Sequence, residues 1–175
     1  MGLDMYLTKK HYIGNQYKKP EEQIKLGLPD IKDERLSEIT ERVMYWRKAN
    51  AIHKWFVENV QDGEDDCGEH YVERESLKKL MDILDTIIKG SKTKKAKIQV
   101  GTSYKNGQEN PIMEDGELII NPELAEKLLP SESGFFFGGT GYDNYYLEEC
   151  VRTHKELEEL LKEEESGDFY YQSSW

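Results

Sequence analysis

From Asp33 to Val60 the apolar residues Leu36, Ile39, Val43, Trp46, Val57 and Val60 recur at spacings built from steps of three and four. That period predicts one long amphipathic helix, ended at the glycine of QDGEDDCGE, Gly63. A helix of this length has to bury its stripe, so it dictates where the core lies. At roughly 100° per residue the stripe centres on Val43, Trp46 and Val57. Asn50 and His53 fall inside it, one turn apart. Arg47 and Lys54 border it on one side, and Tyr45, Ile52 and Phe56 on the other. Burying an unpaired amide or imidazole costs about 1–3 kcal/mol. The pair therefore needs partners, from the protein or from a ligand. A core arrangement would join Asn50 to a loop carbonyl and His53 to a tyrosine. A binding site would use Trp46, Arg47, Asn50, His53 and Lys54 together as a cationic, hydrogen-bonding strip beside aromatic rings.

The flanking segments set the fold class. LDMYLTKKHYI alternates loosely and predicts an opening strand, and DFYYQSSW predicts a closing one. The connection GNQYKKPEEQIKLGLPD is polar and rich in breakers. SLKKLMDILDTIIKG places Leu77, Leu80, Met81, Leu84, Ile87 and Ile88 on one helical face and stops at Gly90. SKTKKAKIQV and GELIIN read as short strands with KNGQENP as turn. Asn121 and Pro122 predict the start of a short helix, NPELAEKLL. Asp143 or Asn144 predicts the cap of a last helix running to about Glu165. The sum is one α+β domain over residues 1–175. Its small, mostly antiparallel sheet holds the N- and C-terminal strands as neighbours and is covered by three main helices.

The chain has 175 residues, long enough to bury a core, and a net charge of -11. That sign opposes general nucleic-acid binding, which depends on cations displacing counterions, and opposes an anionic membrane surface. It leaves room for a small anion in a locally basic pocket. Two cysteines, Cys67 and Cys150, are too few for a disulfide framework and suit a reducing cytoplasm. No signal-peptide core, membrane-length apolar run or myristoylation pattern is expected from MGLDMYLTKK or the rest of the chain.

GFFFGGTGYDNYY is the second concentrated signal. Gly134, Gly138, Gly139 and Gly141 allow close backbone approach, and a helix N-terminus follows that suits an anion. The segment matches neither the Walker nor the GxGxxG pattern. It predicts a brief aromatic strand between glycines. Phe135 and Phe137 would face one layer and Phe136 the other. Phe136 and Tyr142 are candidate walls for a planar ligand, with Tyr145 and Tyr146 nearby. Asp143 reads both as the helix cap and as a site residue. A zinc set would require Cys67 and His70 to meet Cys150 and His154, and no metal or cofactor is expected on present spacing. Acid–base chemistry would use His53, oriented by Asp65 or Asp143. A Cys67–His53 nucleophilic pair has no local signature.

The stretches MGLDMYL, YWRKANAIHKWF, GFFFGGTGYDNYY and YYQSSW resemble a family of small uncharacterised proteins of bacteriophages and bacteria. The resemblance implies a phage or prophage setting and an accessory role inside the cell. It transfers no catalytic residue. The residues themselves favour a protein that binds a small, planar, anionic, nucleotide-like ligand. Its site would comprise Trp46, Arg47, Asn50, His53, Lys54, Phe136, Gly138, Gly139, Tyr142 and Asp143. One alternative is a hydrolase or transferase with His53 as proton carrier. Another is an acidic protein that inhibits a host factor through Glu158, Glu159 and Glu163, or that self-associates.

Overall fold

Strand β1 (Asp4–Tyr12) sends Met5, Leu7 and Lys9 to one side and Tyr6, Thr8 and Lys10 to the other, the two-residue period of a half-buried strand. The computed structural model describes residues 2–105, 107–134, 137–163 and 166–175. In chain order the elements after β1 are β2 (Glu38–Arg47), α1 (Asn50–Val60), β3 (Glu69–Val72), α2 (Arg74–Gly90), β4 (Lys92–Lys105), β5 (Gln108–Ile120), α3 (Glu123–Leu128), α4 (Asn144–Leu160) and β6 (Asp168–Ser174). The architecture is α+β. An antiparallel four-stranded sheet has the order β2-β1-β6-β3, so the first and last strands are paired neighbours, and β4 and β5 form a separate two-stranded ribbon.

The long helix expected over 33–60 is corrected by the structure. Residues 38–47 form β2, paired with β1 from Asp4↔Arg47 to Tyr12↔Glu38. Ile39, Thr40, Val43, Tyr45 and Trp46 are β-branched or aromatic and favour a pleated surface. Met44 and Trp46 are buried at a spacing of two, whereas Tyr45 between them is exposed. The strand's apolar positions merely coincide with helical spacing. Lys48, at φ +58°, turns the chain, and α1 begins two residues later. At its other end, Gly63 at φ +83° terminates the helix as expected.

The core lies between the inner sheet face and the helices. Met5, Leu7, Met44, Trp46, Phe169, Tyr171 and Val72 come from the strands, and Ile52, Phe56, Leu77, Leu80, Leu84, Ile87 and Leu157 from α1, α2 and α4. The Phe56 and Tyr171 rings stack at 4.0 Å and 7°. The opposite sheet face is open to solvent, as antiparallel sheets allow, and carries Tyr6 against Tyr45 and Tyr71 against Tyr170.

Other expectations shift locally. The two short strands of 91–120 are one long hairpin ribbon, and β3 was not anticipated. Asn121 does not cap α3: it occupies a left-handed turn at φ +58°, and the helix starts one residue later than expected, at Glu123. Asp143 does cap α4, its Oδ1 accepting from the Tyr146 N–H at 3.1 Å. Of the aromatic strand expected at 134–139, the described residues form no strand. Phe137 N–H donates to the Gly134 carbonyl, and Gly138 adopts φ +93°. Phe135 and Phe136 lie outside the described residues.

Candidate functional site

Asn50 and His53 are both buried, at 4% and 1% exposure. Asn50, at the first turn of α1, is fully engaged by main chain. Its amide nitrogen donates to the Phe137 carbonyl at 3.1 Å and the Gly139 carbonyl at 2.8 Å, and its oxygen accepts from Glu132 N–H at 3.1 Å. This one side chain ties both limbs of the 132–139 segment to α1. Asn50 is therefore a strut for the site, not a group open to a ligand.

His53 is only half satisfied. Its Nδ1 is 2.8 Å from the Tyr171 hydroxyl. Burial raises the Tyr171 phenol well above its ordinary pKa, so it stays protonated at neutral pH. It has no other acceptor among the described residues, so the hydroxyl donates to Nδ1. A neutral imidazole then carries its proton on Nε2. Nε2 lies 3.2 Å from Asp65 Oδ1, within ion-pair distance, yet off the line that a hydrogen bond requires. The angle outweighs the distance here, so Nε2 is a buried donor without a hydrogen-bond partner. Among the described residues the one other buried side-chain nitrogen or oxygen without a partner is an acceptor, Gln61 Oε1.

A cleft of about 710 Å³ has His53 as one of its lining residues. Its walls are Val57 and Gly63 from α1 and the turn after it, Ser133, Gly134 and Phe137 from the tied segment, and Trp175 from the C-terminus. The His53 and Phe137 rings meet edge to face at 5.3 Å, and the indole N–H of Trp175 donates to Asp65 Oδ1 at 3.2 Å. Lys54 is paired with Glu132 at 2.8 Å, and that hydrogen bond raises its pKa.

The ten residues expected to form one site do not share one cavity. His53 and Lys54 line the cleft just described. Arg47, Asn50, Gly138, Gly139 and Asp143 line a second one, of about 560 Å³, on the other side of the Asn50 tie. Trp46 is in neither, because β2 points it into the core, where its indole N–H donates to Thr153 Oγ1 at 2.9 Å. Tyr142 is a brace: its hydroxyl accepts from Ser131 N–H, and its ring packs on Tyr146. The N-terminus of α4, suggested as an anion site, is occupied by Asp143. Phe136 lies outside the described residues. Asp65 is the carboxylate beside His53, and Asp143 is not. Tyr171 and Trp175 were missed as site residues, since only the β1–β6 pairing brings the C-terminal strand to α1.

The cysteine–histidine pairs stay apart. Cys67 is exposed, and Cys150 is buried beside Tyr146 with its thiol pushed up to about 12 by burial. His70 pairs with Asp66, and His154 lies 3.9 Å from Asp85. No cluster of three His, Cys, Asp or Glu side chains suited to a metal occurs among the described residues. No helix there is long and apolar enough to cross a membrane.

The tied segment depends on Gly138. A β-carbon there would lie 3.1 Å from Lys48 Cβ and 3.3 Å from its carbonyl oxygen, at a φ that disfavours side chains. Gly138→Ala is expected to destabilise the fold by about 1–2 kcal/mol, measured as a lowered urea midpoint at unchanged m-value.

No protein-family model matches this chain, and neither the curated proteins nor the solved structures contain a match. Fold and site define an α+β protein with a half-satisfied buried histidine among the residues lining an aromatic-walled cleft.

Proposed function

We propose that this protein binds a small planar molecule in the cleft between α1 and the 132–139 segment, with His53 Nε2–H donating to an acceptor on the ligand. The observation that carries this reading is the orphaned Nε2. A buried donor with no partner costs about 1–3 kcal/mol, a cost that a bound acceptor removes. Support also comes from the size of the cleft, from the aromatic rings of Phe137 and Trp175 on its wall, and from the Asn50 bonds that preform that wall. The setting we propose is the one implied by the resemblance, a phage-type accessory protein acting inside the cell.

A second reading, acid–base catalysis by His53, draws support from Asp65 at 3.2 Å on one ring nitrogen and Tyr171 at 2.8 Å on the other. The partner-binding reading gains less. Of its carboxylates, Glu158 is paired with Lys162 and Glu163 with Lys9.

Chemical-shift mapping with a library of planar fragments tests the binding reading. Perturbations should converge on His53, Phe137 and the Trp175 indole. Fragments that move only Arg47, Lys48 and Gly139, or none that move His53, would contradict it. Tyr171→Phe should cost about 1–2 kcal/mol of stability and weaken binding, because the hydroxyl that engages Nδ1 and fixes the orientation of the ring is lost. Unchanged affinity in that variant would refute the donor role.

A further inference from the structure

The charges around the cleft restrict its ligand further than the planar shape does. Glu58, Asp65 and Glu132 line it against the single cation Lys54. Lys54 is already committed, at 2.8 Å to Glu132 and 4.0 Å to Glu58. Arg47 and Lys48, two cations with no ion-pair partner among the described residues, line the other cleft. A phosphate in the His53 cleft would meet surplus carboxylate and no free cation, on a chain whose net charge is already -11. The anionic group expected from the sequence therefore has no counter-charge at this position.

The hydrogen-bonding pattern is equally directional. His53 Nε2–H is a donor and calls for an acceptor. Asp65 stands beside it, 3.2 Å away, and its Oδ1 takes the Trp175 indole N–H. Its other carboxylate oxygen has no partner among the described residues and calls for a donor. One donor flanked by one acceptor is read by a planar edge with the opposite sequence, a ring acceptor next to an amino group. Adenine and cytosine carry that edge, whereas hypoxanthine and uracil replace the amino group with a carbonyl. Trp175 is half exposed and presents an indole face on which such a ring can stack.

We infer that the cleft recognises an unphosphorylated amino-heteroaromatic ring, of the adenosine or cytidine type, through His53 and Asp65. This rests on the binding reading above and specifies its ligand class. The amino group sits against the Asp65 carboxylate and the ring nitrogen accepts from His53. The surrounding carboxylates select against the phosphorylated form of the same molecule.

Isothermal titration of the whole chain with adenosine, cytidine, inosine, uridine and the monophosphates of adenosine and cytidine tests this. One of the two amino nucleosides should bind about tenfold or more tightly than both its carbonyl analogue and its own monophosphate. The monophosphate penalty should shrink in high salt. Asp65→Asn, at a side chain that is one third exposed and so tolerant of change, should abolish the amino preference while circular dichroism stays native. A monophosphate that binds more tightly than its nucleoside overturns the inference and leaves the binding reading standing. So does silence from all six probes while other planar fragments still perturb His53. Loss of every fragment contact at His53 removes the underlying reading as well.

Discussion

Asn50→Ala is expected to cause the largest loss of stability of any single polar substitution near the cleft. The amide serves two carbonyls and one N–H of the 132–139 segment, all at 3.1 Å or less, with the side chain buried. Truncation leaves three main-chain groups unpaired in or near the interior. At about 1 kcal/mol or more for each group the loss is about 3 kcal/mol, or a fall in Tm of about 6–12 °C for a chain of this size. The same variant should lose ligand binding, because the wall carrying Phe137 is no longer held against α1. Calorimetry and fragment mapping on the one variant check both effects. Asn50→Asp should not rescue the loss, since it keeps the oxygen that accepts from Glu132 but sets a buried carboxylate oxygen against the Phe137 and Gly139 carbonyls. A Tm within 2 °C of the parent in the alanine variant would show that the segment is held by something else.

A second large effect is expected in alkali. Burial raises the pKa of three acids that are neutral in the fold: Cys150 up to about 12, and Tyr146 and Tyr171 well above the ordinary phenol range. In the unfolded chain the thiol ionises near 9 and the phenols near 10. Above those values the unfolded state sheds protons that the folded state retains. Stability is therefore complete below about pH 9 and is lost as pH rises toward the folded values. Cys150 alone accounts for about 4 kcal/mol by pH 12, at 1.36 kcal/mol per unit, and the two tyrosines add to the slope above pH 10. Urea midpoints should fall steeply from pH 9 to 11. In Cys150→Ala the fall should begin about one unit later. A midpoint that is flat across that interval would contradict the burial of these groups.

The helical pattern of α2 and the alternation of β1 and β6 were readable because each has a face that only one period explains. The segment 36–47 was not. Its apolar residues satisfy a helical spacing by coincidence, and what decides for strand is pairing with β1, a contact that no local window contains. The Asn50–His53 pair was recognised as two polar groups turned inward, and the core partners expected of them, a loop carbonyl and a tyrosine, are the ones found. The spacing could not say that Asn50 would be used up while His53 kept one nitrogen free. That depends on Tyr171, more than a hundred residues away, and on the angle at Asp65. In the glycine-rich segment, the close backbone approach that the structure shows is that of Gly138 to Lys48, at φ +93°. Gly138 and Gly139 line the second cleft, the Gly139 carbonyl serves the Asn50 tie, and Asp143 fills the α4 terminus.

Long-range proton–nitrogen correlation of the His53 imidazole at neutral pH tests the central claim most directly. The account predicts a proton on Nε2 and none on Nδ1, with the Nε2 resonance moving when a planar ligand is added and Nδ1 holding its bond to Tyr171. A proton found on Nδ1, or an Nε2 resonance indifferent to every ligand that binds the protein, would contradict it.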